Sequence, residues 1–243
     1  MLATQTRPDT TTIDRRTFAS LGHADHGWLD ARHHFSFAGY HDPDRTGWGS
    51  IRVWNDDRIA ANTGFPPHPH SDMEIITYVR SGAITHQDSM GNRGRTGAGD
   101  VQVMSAGSGV RHAEYNLEGE PTTLFQIWIE PATRGGTPSW GAKPFPKGDR
   151  SGNFVVLASG FAEDAGALRI RAEARVMGAT LKPGETVEHD VGTGRHAYLV
   201  PATGSIEIDG ARIDTRDGVA LSGGRTYAIT AIEEAELVLV DAQ

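Results

Sequence analysis

Apolar and polar positions along this chain change over with a period of two, in short segments closed by glycine-rich turns. Glu74-Ile75-Ile76-Thr77-Tyr78-Val79 is β-branched and aromatic, which predicts a strand. Ser81-Gly82-Ala83-Ile84-Thr85-His86 follows with a turn at Gly82. Further turns are predicted at Gly91-Asn92 and Gly97-Ala98-Gly99-Asp100, and Val101-Gln102-Val103-Met104 is another short strand. Leu168 to Val176 alternates apolar and charged residues, the pattern of a half-buried strand with one wet face. In Phe125-Gln126-Ile127-Trp128, Gln126 and Trp128 share one face and Phe125 and Ile127 the other; the pattern does not say which face lines the interior.

Some of these segments recur. Ala197-Tyr198-Leu199-Val200-Pro201-Ala202-Thr203-Gly204-Ser205-Ile206 echoes Ile76 to Ile84, and Asp217 to Gly224 echoes Asp100 to Gly107. A separation of roughly 120 residues indicates duplicated domains rather than a short-period solenoid. The division read from the sequence is a frayed, Thr-rich N-terminus over 1–13, a first domain over 14–132, a Gly- and Pro-rich linker over 133–152, and a second domain over 153–243.

Composition narrows the function classes. The 243 residues suffice for two modest cores, and 30 glycines with 12 prolines suit many short strands. A net charge of −8 argues against non-specific nucleic-acid binding. No apolar run approaches the ~20 residues of a membrane helix. The N-terminus lacks the apolar stretch of a signal peptide, so the expectation is a soluble cytoplasmic protein. There is no cysteine, so any bound metal must be held by nitrogen and oxygen.

The candidate chemistry sits in two pairs. His68 and His70 lie one residue apart in Pro67-His68-Pro69-His70, and His112 and Glu114 repeat the spacing. On strands, residues i and i+2 project from one face. Two such strands facing each other in a barrel would gather three imidazoles and a carboxylate around one point, a set suited to a divalent transition metal with open positions. The remaining histidines carry weaker signals. His23, His26, His33 and His34 are interleaved with Trp28, Leu29, Phe35 and Phe37 and are expected in packing or supporting roles. His86, beyond a turn, is expected at the surface. Glu74 shares parity with His68 and His70 and is expected to support a ligand imidazole. In the second copy the His-Pro-His position reads Val187-Glu188-His189-Asp190, and only His189 and His196 follow His112, so no four-ligand site is expected there.

Gly64, His68, His70, Glu74 and Gly82 resemble the first cupin motif, and Gly99, Gly107, His112 and Asn116 the second. Trp28 to Phe37, Pro67 to Thr77, Met104 to Gly109 and Gln126 to Pro131 resemble the pirin family, which includes pirin-like quercetin 2,3-dioxygenases. The resemblance implies an all-β fold of two tandem cupin-type β-barrels, a bicupin. It implies Glu114, not Glu74, as the carboxylate ligand beside His68, His70 and His112. The implied metal is iron(II) in first place, with copper, nickel, cobalt, manganese or zinc compatible with the donors. The implied reaction is ring cleavage of a flavonol-like aromatic substrate by O2 with release of carbon monoxide, Glu114 accepting the substrate's 3-hydroxyl proton. A second implied class is an iron-dependent redox sensor that binds other proteins. Phe65, Pro66, Met73, Met104, Phe125, Ile127 and Trp128 are candidate pocket walls by position.

Overall fold

The computed structural model describes residues 13–243; the N-terminal stretch expected to fray lies almost wholly outside them. Among the described residues, strands form two seven-stranded and two four-stranded sheets. The first large sheet runs in the order Ser139–Lys143, Val101–Ser105, Glu74–Ser81, Thr122–Ile129, Ile51–Ile59, Leu29–His33, Gly22–Asp25. Facing it is a small sheet of Thr63–His70, Val110–Asn116, Ala83–Asp88 and Arg93–Gly97. Together they close the first barrel. The second barrel repeats the plan: His196–Thr203, Ala235–Ala242 and Ala174–Leu181 hold the central places that Glu74–Ser81, Thr122–Ile129 and Ile51–Ile59 hold in the first.

Each large sheet takes an edge strand from outside its own repeat. Ile13–Arg16 pairs with Gly218–Leu221 and so belongs to the second barrel's sheet. Ser139–Lys143, within the stretch read as linker, pairs with Val101–Ser105 in the first. Gly and Pro content hid this strand, since Gly141 lies within it and Pro138 and Pro144 close its two ends.

The two faces of the first large sheet have different partners. Trp54, Ile76, Tyr78, Phe125 and Ile127 share one core cluster with Val176, Tyr198, Val200 and Val238 of the second barrel. Large apolar residues thus occupy the inter-barrel face, and burying them supplies the main cohesion between the domains. This resolves the parity of Phe125 and Ile127: they face the second domain, while Gln126 and Trp128 line the first barrel. Buried polar contacts cross the same face. Tyr78 Oη donates to Glu236, Arg150 Nη1 lies 3.1 Å from Tyr78 Oη, and Asp56 pairs with both Arg80 and Arg216. His34 Nδ1 lies 2.9 Å from Tyr198 Oη, which makes this histidine a domain-docking residue.

The alternating segment from Leu168 to Val176 is not one strand. It divides into Leu168–Arg169 and Ala174–Leu181. Between them, Arg171 N donates to Glu74 Oε2 at 3.0 Å and Arg171 O accepts from Ala132 N at 2.9 Å. Its backbone groups bind the first domain in place of a neighbouring strand, so the alternation of burial survives while the ladder breaks.

Candidate metal centre and its cavity

Thr63–His70 and Val110–Asn116 are adjacent antiparallel strands with His68 opposite His112. The register shifts between His112 and Glu114, so that Glu114 stands opposite Phe65 rather than Pro66. The extra residue falls at Pro66-Pro67, where a missing N–H costs the ladder little. The bulge lets Phe65 and His68, three residues apart, face the same interior. Gly64 permits the close approach: a Cβ there would lie 2.2 Å from Glu114 O.

His68, His70 and His112 each offer a ring nitrogen, and these atoms lie within 4.8 Å of one another. The Nε2 atoms of His70 and His112 are buried without a hydrogen-bond partner. His68 Nδ1 lies 2.8 Å from Pro66 O, a contact that fixes its proton on Nδ1 and leaves Nε2 as the lone-pair donor. Burial, with the neighbouring imidazoles, lowers His70 to about 4 and His112 to about 2, so both rings are neutral at physiological pH. Converging neutral imidazoles with unpartnered inward nitrogens fit a divalent transition metal.

Glu114 falls in a second, overlapping group with His86 and His112. It is 2% exposed, and its oxygens accept from Gln102 Nε2 (2.6 Å), Gln126 Nε2 (2.8 Å) and Thr77 Oγ1 (3.4 Å). Burial pushes its carboxyl up to about 7 against the pull of these donors. The donors belong to one cross-strand row of the large sheet, His33, Asn55, Gln126, Thr77 and Gln102 in register. Apolar layers containing Ile75 and Met104 on one side and Val79 and Leu124 on the other enclose this polar row.

His86 is not at the surface. It is fully buried, stacked on Trp140 at 4.8 Å, and joined through Nδ1 to His112 Nδ1 at 3.4 Å. Its Nε2 lies 3.1 Å from Asp88 Oδ2. Asp88 also accepts from Met90 N, Asn92 N and Asn92 Nδ2, as a carboxylate does. The proton order follows: His86 donates through Nε2 to Asp88, its Nδ1 accepts from His112 Nδ1–H, and His112 Nε2 is left as a lone pair facing the cluster. The turn before His86 suggested exposure, but the strand after that turn re-enters the barrel.

Glu74 supports no ligand imidazole by any hydrogen bond. It accepts from Ser105 Oγ at 2.5 Å and Arg171 N at 3.0 Å and so ties the two domains together. His23 and His26 are exposed, whereas His33 is buried and bonded to Asn55 Oδ1 at 2.8 Å. In the second barrel His189 lies 2.8 Å from Asp241; among the described residues both groups able to hold a metal lie in the first barrel.

A cavity of about 440 Å3 opens between the Leu29–His33 side of the large sheet and Phe65, lined by His33, Phe37, Tyr40, Asn55, Phe65 and Gln126. Phe65 lies 6.1 Å from His68 by ring centroids, and Phe37 packs on Trp128, which packs on His70 at 4.9 Å. The cavity walls thus adjoin the imidazole cluster, and its floor includes the Gln126 that holds Glu114. A second cavity borders His70 from the turn side, lined by Pro69, Ser71, Ser89, Gly109 and Arg111.

Lone polar residues in otherwise apolar strands were the available signal for the supporting row: Thr77, Gln102 and Gln126 each sit among apolar neighbours. Nothing local marked His86 or Asp88, whose role depends on the strand beside them.

Comparison with known proteins agrees with this architecture. The family model described as Pirin matches residues 14–129, and that described as Quercetinase C-terminal cupin domain matches 156–242. A Pirin-like protein of Caulobacter vibrioides is 69% identical, covering 95% of this chain and 99% of its own. The Quercetin 2,3-dioxygenase of Escherichia coli is 41% identical over 90% of this chain and 94% of its own. The crystal structure of the bacterial pirin YhhW from Escherichia coli, in complex with nickel(II), superposes with a TM-score of 0.89 at 39% identity, covering 95% of this chain and 99% of that one.

Proposed function

This chain belongs to the pirin family, and from that premise we propose that it is a metal-dependent dioxygenase that opens the heterocyclic ring of a flavonol such as quercetin, with O2 consumed and carbon monoxide released. The observation that carries the reading is the set of converging imidazoles beside a buried carboxyl, at the wall of an aromatic-lined cavity. His68, His70, His112 and Glu114 are the proposed ligands. A divalent metal held there, iron(II) in first place, would supply Lewis acidity toward an enolate oxygen.

The remaining chemistry belongs to the protein. Glu114 takes the 3-hydroxyl proton: it is a buried carboxyl grouped with His112, and burial favours its protonated form. Gln102, Gln126 and Thr77 hold the carboxyl in place through its hydrogen bonds. Phe37, Tyr40 and Phe65 offer apolar faces to a planar ligand, and Trp128 shields His70.

The test is O2 uptake and carbon monoxide formation with quercetin, using protein stripped of metal and reloaded with iron(II), beside His70→Ala. Uptake that tracks metal and vanishes in the variant supports the proposal. No uptake at stoichiometric iron overturns it.

A further inference from the structure

Asp57 is out of character with its surroundings. It sits on the Ile51–Ile59 strand opposite Ala31 on one side and Leu124 on the other, and Leu124 stands opposite Val79. Ala31, Leu124 and Val79 belong to the apolar layer beneath the polar row. Asp57 is therefore the ionisable member of an otherwise apolar row. It is 2% exposed, and its Oδ1 is buried with no hydrogen-bond partner. Arg80, the nearby cation, is bonded to Asp56 on the opposite face. A buried carboxyl oxygen left unpartnered is costly to the fold, and such groups persist where a ligand completes them.

The place of Asp57 indicates that ligand. It lines the cavity together with Asn55, Gln126, Phe65 and Tyr40, one row further from the imidazoles than Gln126. A planar aromatic lodged between Phe65 and Tyr40 with one edge at the imidazole cluster would extend toward this carboxyl. The complementary group is a phenolic hydroxyl. It both donates and accepts, so it meets the carboxyl in either protonation state, whereas a carboxylate ligand would set a second carboxyl beside Asp57 in the same buried cavity.

We propose that Asp57 is a specificity-determining residue that anchors an outer-ring phenolic hydroxyl of the substrate, one strand row beyond the Gln126 that holds Glu114. The inference rests on the dioxygenase reading of the site. It explains how a cavity with mainly apolar walls would choose a polyhydroxylated flavonol over a bare one: the hydroxyl supplies the missing partner, and a ligand without it leaves the carboxyl unpartnered.

The test is anaerobic binding to zinc-loaded protein, followed by fluorescence, with quercetin and with 3-hydroxyflavone, which lacks outer-ring hydroxyls. The native chain is expected to prefer quercetin by about tenfold or more. Asp57→Leu is expected to bring that ratio close to unity, by weaker binding of quercetin and binding of 3-hydroxyflavone no weaker than in the native chain, with zinc content unchanged. Because Oδ1 has no hydrogen bond to lose and Arg80 keeps its bond to Asp56, the variant should melt no lower than the native chain; Asp57→Ala repeats the measurement with a smaller side chain in case the leucine is not accommodated. A preference for quercetin that survives in the variants overturns the anchor and leaves the dioxygenase reading standing. Equal binding of both ligands by the native chain does the same. Failure of the native chain to bind either flavonol overturns both.

Discussion

Asp88→Asn is the sharpest probe of the centre, because it changes one atom and touches no proposed ligand. Asp88 Oδ1 accepts from Met90 N at 2.9 Å and Asn92 N at 3.0 Å, so an asparagine must keep its carbonyl oxygen there. Its NH2 then falls at the Oδ2 position, facing His86 Nε2 and also Asn92 Nδ2, whose amide must turn its oxygen inward. His86 must turn its lone pair to that donor and carry its proton on Nδ1. That proton faces His112 Nδ1, 3.4 Å away, which already carries one in the metal-binding tautomer. Either His112 moves its proton to Nε2 and gives up the lone pair directed at the cluster, or two N–H groups oppose each other in a buried site. The loss amounts to one buried hydrogen bond and an unsatisfied donor, about 1–3 kcal/mol. Charged to the metal-bound state, that is a fall in affinity of roughly 5- to 150-fold, the range typical of groups that orient a ligand histidine. Competition against a chelator of known affinity measures it, with the thermal midpoint of the metal-free protein as the control for folding. An affinity within about twofold of the native chain, in a variant that folds normally, would refute the proposed proton order.

Three further outcomes follow from the same geometry. With its carboxyl near 7, Glu114 is roughly nine-tenths protonated at pH 6, so metal binding should release about 0.9 proton fewer in Glu114→Gln; calorimetry in buffers of different ionisation enthalpy reads the difference, and equal release would exclude Glu114 as the proton source. His70 and His112 are depressed to about 4 and about 2 from 6.5, so the unfolded chain holds their protons more tightly and their contribution to stability is present above 6.5 and lost as pH falls toward 4. Glu114, raised from 4.5, acts in the opposite sense, its contribution lost as pH rises from 4.5 through 7; metal-free Glu114→Gln should therefore show a melting temperature that falls steadily from pH 6.5 to 4, and a flat profile would contradict the buried neutral imidazoles. Gly64→Ala would place a Cβ 2.2 Å from Glu114 O and 2.5 Å from Tyr115 Cα, forcing the ligand-bearing strands apart at a cost of about 1–3 kcal/mol, so both the melting temperature and metal affinity should drop; an unchanged melting temperature would mean that the strands already have room.

The period-two pattern, the turn glycines and the 120-residue echo were enough to determine an all-β, duplicated chain, because strand periodicity and turn chemistry are local properties. The spacing of His68 with His70 and of His112 with Glu114 likewise determined which side chains share a face. The sequence could not say which parity of the Thr122–Ile129 strand is interior, since both faces are buried, one against the barrel's polar row and the other against the second domain. Nor could it place His86 or Asp57. His86 owes its position to antiparallel pairing with the strand that carries His112, and Asp57 to a cavity whose opposite wall is formed by Phe65 from the other sheet. The displacement of Glu74 from the metal centre to the domain junction was settled by Arg171, 97 residues further along. These are contacts between segments distant in the chain, and the energy that fixes them, burial of apolar faces and satisfaction of buried polar groups, exists only once the barrels have closed.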